Sequence, residues 1–570
     1  MFKLSHYNIL KGQKASDGIG IGTVCVYEDE KVRIPEDPIL SIEDGLSQFQ
    51  SGHRQAIEEI DAIYRKAKAT LSDEESEIFG AHKMMVEDVE YIEAIEKRIK
   101  EHMHPAKAVE EVKAYFVNMF QGLDNAYFRE RALDVADVSN RLIRILLGLK
   151  EKDISHLPNE TIIVAKDLTP SDTMRMEKEK VIGFIIERGG LTSHTAIIAR
   201  TLGIPAIMGV QDATHHMEDG QTIIIDGQDG WVILNPDEAA KEHYHLLMKT
   251  IEEEESMLRA YVGKKAKTLN HMTCSLHANI GSVEDVAVAL YYDAEGIGLF
   301  RTELLYMGKE QAPSEEEQFI IYKEVAEQMK GKEVTIRTLD VGGDKQIAYL
   351  NIQQEENPFL GYRAIRYCLD HQELFKTQLR ALIRASAYGN IQIMFPMITA
   401  YEELIEAKAM LQEIKEELDR AGIAYNHHMK VGMMIETPAS VILADQFAKE
   451  VDFFSIGSND LIQYTMVADR MNTQVQKLYS PYYPAIIRAI HQVAKAAIAN
   501  HIPVSICGEI ASDHKLTNVW LNMGIHKLSV IPSGLLKLKH HICHMHTDNL
   551  HMDQLLQANT REEIINLLDK

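Results

Sequence analysis

The sequence predicts an α/β protein of two parts: an α/β domain interrupted by an inserted α-helical module, followed by a (β/α)8 barrel. Three observations carry that reading. Strand-like segments flank a proline-poor, helix-patterned stretch between Ser41 and Gly148. Beyond residue 265, short apolar runs alternate with longer helical ones, and eight such units in about 300 residues is the arithmetic of a (β/α)8 barrel. A 570-residue chain that is 45% hydrophobic and 25% charged suits several globular domains and excludes a disordered or fibrous protein.

Taken in order, residues 1–35 read as short strands between turn residues, with the segment Ser16-Asp-Gly-Ile-Gly-Ile-Gly22 at their centre. From Ser41 the pattern changes. Leu46, Phe49, Ile57, Ile60, Tyr64 and Ala67 recur at helical spacing, and Ser41 with Asp44 forms a helix-start signal. Further helices are expected around 75–103, 106–122 and 130–147, with Pro105 the only proline in the stretch. Strands return at Thr161–Ala165, Val181–Ile186, Thr222–Asp226 and Trp231–Leu234, with one apolar helix from His194 to about Leu202. The expected domains are therefore 1–35 with 150–236 (α/β), 36–149 (helical insertion), 237–262 (a charged helical linker) and 263–570 (barrel). The eight barrel strands are expected in MTCSLHANI, GIGLF, VTIRTLD, IQIMFPM, VGMMIET, DFFSIG, VSICGE and KLSV.

The formal net charge of −25 argues against nucleic acid or an anionic membrane as the main partner. A small anionic substrate would need a local cluster of Arg and Lys. Five scattered cysteines without Cys-x-x-Cys spacing indicate neither a disulfide framework nor a zinc module. The opening MFKLSHYNILKGQ has no apolar signal segment, and no run of 18 apolar residues occurs, so a cytoplasmic protein without a membrane anchor is expected.

Two groups of residues suggest chemistry. His194 follows the Gly189-Gly190 turn and opens an apolar helix, where free N–H groups and the helix dipole favour a phosphoryl group. Neutral imidazole is a competent nucleophile near pH 7. The alternative is that His194 or Ser193 only caps the helix. Thr169, in a polar loop after a strand, is placed to orient such a ring. The second group lies just past the barrel strands: Asn279, Arg301, Arg337, Glu436, Asn459, Asp460 and Cys507. Active sites of barrels occupy that face. Arg301, Arg337 and Arg470 suit a phosphate or carboxylate, whereas Glu436 and Asp460 suit Mg²⁺ completed by substrate oxygens. A structural ion-pair network is the competing reading. Cys507 at the barrel mouth, mostly protonated at pH 7, suits a general acid; the plainer reading is small buried packing.

Together these residues resemble the enzyme I family of bacterial phosphoenolpyruvate-dependent sugar phosphotransferase systems, the phosphoenolpyruvate–protein phosphotransferases. The motifs are GGLTSHTAIIAR, GIGLFRTELL, TLDVGGDK, ENPFLGYRAIR, FPMI, IETP, FSIGSNDLIQYT and CGEI. The resemblance implies that His194 accepts the phosphoryl group of phosphoenolpyruvate and passes it to the small carrier HPr. It implies that Arg301, Arg337, Asn459, Asp460 and Arg470 hold the substrate, with Thr169 and Lys345 in support. Glu436 and Asp460 would bind Mg²⁺, and Cys507 would protonate the enolpyruvate carbon to release pyruvate. It further implies a swivelling phosphohistidine domain, an HPr-binding helical insertion and a homodimer formed through the barrel.

Departures from that family are Met471 after the Val-Ala-Asp-Arg arginine, Tyr483 in place of a histidine, and Ser512 in place of a glycine. They leave room for a divergent paralogue or regulatory copy with another carrier partner. Relatives that use a nucleotide in place of HPr carry an extra domain for which this chain has neither the length nor a glycine-rich loop. The cluster His540, His541, Cys543, His544 and His546 offers metal-ligand side chains at no recognised zinc spacing. Leu535, Leu536, Leu538 and Ile542 instead suggest an amphipathic terminal helix.

Overall fold

The computed structural model describes residues 6–27, 34–35, 37–39, 41–70, 73–121, 126–149, 154, 157–169, 172–173, 176–188, 195–196, 199, 203–307, 309, 311–343, 345, 347–353, 355–470, 472, 474–547 and 550–569. The chain divides into two compact units, Met1–Glu253 and Glu254–Lys570.

The first unit holds an eight-stranded mixed sheet and a group of helices. The strands are β1 (Asn8–Lys11), β2 (Gln13–Ser16), β3 (Ile19–Tyr27), β4 (Thr161–Ala165), β5 (Val181–Ile186), β6 (Ala206–Met208), β7 (Thr222–Asp226) and β8 (Trp231–Leu234). Their order across the sheet is β1-β8-β7-β3-β4-β5-β6-β2. The run β3-β4-β5-β6 is parallel and the flanking pairs are antiparallel. β4 is buried along its whole length, as expected for a central strand covered on both faces. The glycines of the Gly-Ile-Gly segment have a packing reason: a Cβ on Gly22 would sit 2.1 Å from the Glu160 carbonyl oxygen.

Between β3 and β4 the chain forms α1 (Ile42–Thr70), α2 (Asp73–Val86), α3 (Val89–Lys100), α4 (Pro105–Gln121) and α5 (Ala126–Leu146). The Ser41 hydroxyl accepts the Asp44 N–H at 3.2 Å, as its spacing predicted. The single helix expected over 75–103 is in fact two. The break falls at Asp88, whose carboxylate accepts the Tyr91 N–H at 3.0 Å and starts α3. Capping by a short acidic side chain outweighs the unbroken apolar periodicity there. The helices share a core that includes Phe49, Ile60, Ile95, Val109 and Leu142. A helix, Glu238–Arg259, occupies the charged segment after β8, and Asp237 caps it by accepting the Ala240 N–H at 2.8 Å.

The second unit is a closed barrel of eight parallel strands: β10 (Thr273–Ile280), β11 (Gly296–Arg301), β12 (Glu333–Arg337), β13 (Asn390–Phe395), β14 (Val431–Ile435), β15 (Phe453–Gly457), β16 (Val504–Cys507) and β17 (Lys527–Val530). Closure comes from pairing of β10 with both β11 and β17, while β9 (Ala266–Lys267) adds an antiparallel edge to β10. All eight strand candidates read from the sequence are present. Alternation divides each strand between two surroundings. On β15, Phe454 and Ile456 join the large core shared with the helices, whereas Phe453 packs inside the barrel with Leu299, Met394, Met434 and Cys507.

One interior layer is polar. His277 of β10 is 4% exposed and fits because Gly296 of β11 lacks a side chain; a Cβ there would lie 2.6 Å from the ring. Close by, Lys527 pairs with Glu333. The helix Leu535–Cys543 buries Leu535, Leu536, Leu538 and Ile542, as the amphipathic reading expected. It is not terminal, because two further helices, Met552–Gln557 and Arg561–Leu568, follow it.

Candidate active site

The C-terminal ends of the barrel strands deliver charged side chains to one place. Arg337 ends β12 and is 5% exposed. Its guanidinium contacts Glu303 at 2.6 Å and Asp340 at 3.0 Å. Lys345 contacts the same two carboxylates at 2.8 and 2.9 Å. Arg363 bridges onward, with Nε 3.0 Å from Asp340 and Nη1 3.0 Å from Asp460. Buried charges persist only when paired in this way.

Four residues around this network were not singled out from the sequence: Glu303, Asp340, Arg363 and Gln378. The first three stand inside the motifs GIGLFRTELL, TLDVGGDK and ENPFLGYRAIR, so a charged residue beside a strand end or tight turn was the available signal. Gln378, on the helix Gln372–Ala385, accepts the Leu339 N–H and donates to the Thr302 hydroxyl, which in turn donates to the Arg337 carbonyl. That brace holds the backbone around Arg337. Backbone strain marks Arg363 as well. The next residue, Ala364, is fully buried at φ +53°, which a side chain rarely adopts.

Glu436 follows β14 and is 1% exposed. Its Oε1 accepts the Met397 N–H at 2.6 Å, and its Oε2 has no partner among the described residues. Burial, reinforced by the Asp460 and Asp340 charges, pushes its carboxyl up to about 8. Burial also disfavours the Asp340 charge, but Arg363, Arg337 and Lys345 outweigh it and hold that carboxyl well below the usual range. An unsatisfied buried oxygen near a second carboxylate, Asp460, is a hard-oxygen donor set that suits a small divalent cation. Among the described residues, no group of three or more His, Cys, Asp or Glu side chains is arranged to hold a metal by itself.

Cys507 ends β16 and is 2% exposed. Burial pushes its thiol up, a Ser455 hydrogen bond pulls it back, the Glu436 charge raises it further, and the Arg337 and Arg301 charges lower it. Gly508 follows at φ +98°, and a Cβ there would lie 2.4 Å from the Ser458 hydroxyl. Only glycine lets the chain turn so closely past the helix Ser458–Met466, which carries Asn459 and Asp460. The Asn459 side-chain oxygen accepts the Glu509 N–H at 3.1 Å, tying the two loops together. Arg470 hydrogen-bonds Tyr479, whose hydroxyl donates to the Asn459 carbonyl. Arg301 ends β11 with an exposed side chain that makes no hydrogen bond or ion pair among the described residues. Asn279 is turned to the barrel wall, donating to the Ser529 carbonyl at 3.1 Å and accepting the Ser529 hydroxyl at 2.6 Å.

His194 and the glycine turn before it lie outside the described residues. Thr169 is described. Its hydroxyl donates to Asp172 at 2.9 Å, and Asp172 also accepts the Tyr27 hydroxyl at 2.6 Å. Its oxygen also accepts the Asp172 N–H at 3.2 Å, so Thr169 has one lone pair, not a proton, left to offer a neighbouring ring. Met471 is also outside the described residues. Among the described residues, no helix is long and apolar enough to cross a membrane.

Comparison with known proteins follows the same architecture. Residues 255–547 match the family described as PEP-utilising enzyme, PEP-binding domain. Residues 157–230 match PEP-utilising enzyme, mobile domain, and residues 11–131 match PEP-utilising enzyme, N-terminal. A barrel whose mouth gathers paired cations and carboxylates, in a chain with these matches, defines a PEP-utilising enzyme. The chain is 42% identical over 559 residues to the phosphoenolpyruvate-protein phosphotransferase of Priestia megaterium, covering 98% of each. It is 43% identical over 569 residues to that of Bacillus subtilis, again covering 98% of each. An NMR solution structure of an Enzyme I protein is 41% identical and covers 43% of this chain and 99% of that one, with a TM-score of 0.40. The chain belongs to the phosphoenolpyruvate-protein phosphotransferase family, and its chemistry is phosphoenolpyruvate-dependent phosphotransfer.

Proposed function

We propose that the chain takes the phosphoryl group of phosphoenolpyruvate onto His194, releases pyruvate, and passes the group to the phosphocarrier HPr as the first step of sugar uptake. The observation that carries this reading is a buried thiol, Cys507, at the end of β16, packed in one cluster with Met434, whose sulfur the Arg337 guanidinium reaches at 3.9 Å. A proton donor beside anion-binding cations is what converting an enolate to pyruvate requires.

Arg301, Arg337, Asn459 and Arg470 hold the substrate in this proposal. Among the described residues, the Arg301 guanidinium and the Asn459 side-chain N–H₂ have no hydrogen-bond partner, which leaves both to meet substrate. Lys345 holds Glu303 and Asp340, so the carboxylates that set Arg337 in place do not repel the anion alone. Glu436 and Asp460 would hold Mg²⁺, which offsets phosphate charge when bound. As the phosphoryl group leaves for the His194 imidazole, Cys507 gives its proton to the enolate carbon. Ketonisation then draws the reaction forward.

The domain plan belongs to the same proposal: an α/β domain carrying His194 from residues 1–35 and 150–236, an HPr-binding insertion at 36–149, and a linker at 237–262. The barrel at 263–570 binds substrate and dimerises, in a cytoplasmic protein. A divergent copy with another carrier would keep the first half-reaction and lose the second. Incubation of the full chain with ³²P-phosphoenolpyruvate and Mg²⁺, with and without purified HPr, separates these outcomes. Label on His194 that moves to HPr is expected. Failure to label the chain would overturn the proposal.

A further inference from the structure

Among the described residues, the buried thiol has one hydroxyl partner. Ser455, in the middle of β15, is 1% exposed, and its Oγ donates to Cys507 Sγ at 3.6 Å. No other side chain partners that hydroxyl among the described residues. The thiol in turn donates to the Ile456 carbonyl at 3.5 Å. Leu299, Met394, Met434 and Phe453 pack with it inside the barrel, and the Glu436, Arg337 and Arg301 charges act on it. Register explains the meeting, since β15 and β16 run parallel with Ser455 opposite Ser505 and Gly457 opposite Cys507.

We propose that Ser455 is a positioning residue for the proton transfer, fixing the Cys507 sulfur and donating to the thiolate left behind. This rests on the reading of Cys507 as proton donor. In that step the S–H bond breaks, its electron pair stays on sulfur, and the proton forms a C–H bond at the enolate carbon to make the methyl group of pyruvate. Solvent returns a proton to sulfur before the next turn. Once the proton has gone, the Ile456 carbonyl faces a negative sulfur with nothing to share. Among the described residues, the Ser455 O–H is then the side-chain hydrogen bond donated to the sulfur. Hydrogen bonds to a charged partner are stronger than those to a neutral one, so this contact gains strength as the transition state develops.

The test is the burst of pyruvate when the full chain is mixed with phosphoenolpyruvate and Mg²⁺, which needs no acceptor protein. Ser455→Ala should slow the burst at saturating substrate by about ten- to a hundredfold, with half-saturation within about twofold. Ser455→Thr, which keeps the hydroxyl, should recover most of the rate. In a Cys507→Ala background, Ser455→Ala should cost nothing further, because the two act as one unit. The inference is overturned by a burst within about twofold of wild type in Ser455→Ala, by an equal loss in the Cys507→Ala background, or by no recovery in Ser455→Thr. A Cys507→Ala chain that releases pyruvate at the wild-type rate would instead overturn the proton-donor reading, and this inference with it.

Discussion

Arg363 meets Asp340 side-on, with Nε 3.0 Å from one carboxylate oxygen and Nη2 3.1 Å from the other, both residues being buried. That two-point contact fixes the plane of the guanidinium and leaves Nη1 to reach Asp460. Asp340 thereby becomes the shared counter-charge of Arg337, Lys345 and Arg363. Replacing it by asparagine strips one carboxylate from three cations at once. Asp340→Asn should lose about 3–5 kcal/mol of barrel stability in urea unfolding, together with most phosphoenolpyruvate-dependent activity. An unchanged unfolding midpoint would show that the cations do not depend on it.

Glu436 offers a second test. Glu436→Gln keeps the side-chain volume and the acceptor for the Met397 N–H while removing the charge. The Mg²⁺ concentration that half-saturates the pyruvate burst should rise at least about tenfold, and chelation of Mg²⁺ should silence the wild-type chain. A Mg²⁺ dependence identical to wild type would exclude Glu436 as a ligand.

His194→Ala should abolish covalent labelling by ³²P-phosphoenolpyruvate while leaving the barrel's thermal midpoint unchanged, because the two lie in different compact units. Residual acid-labile label on the variant would move the nucleophile elsewhere.

His277 sets a pH window for stability. Burial, helped by the Lys527 charge, depresses its pKa to about 4, against 6.5 for a free ring. The folded state therefore requires the neutral ring, whereas the unfolded chain takes up a proton below about 6.5. Its contribution is complete above that value and declines as pH falls toward 4. Between pH 7.5 and 4.5 the loss is about 2–3 kcal/mol. A His277→Asn chain should show a flatter decline in urea midpoint across that interval; parallel curves would refute the assignment.

The barrel was readable before any coordinates because each strand is a short apolar run punctuated by polar residues at its C-terminal end. Arg337, Glu436 and Cys507 stood out for that reason, since a charged or reactive side chain at a strand end has few structural uses. The helical insertion was readable from apolar spacing. Its break at Asp88 was not, because one capping hydrogen bond leaves no mark on periodicity.

Local pattern established which elements form and which residue types reach the barrel mouth, because propensity, periodicity and turn chemistry act over a few neighbours. Pairing was settled elsewhere. Asp340 and Asp460 lie 120 positions apart in the chain, yet both meet Arg363. Ser455 finds Cys507 across 52 positions. Such partners are chosen by strand register and barrel closure, which depend on the whole packed unit and on burial that forces every charge to find its opposite.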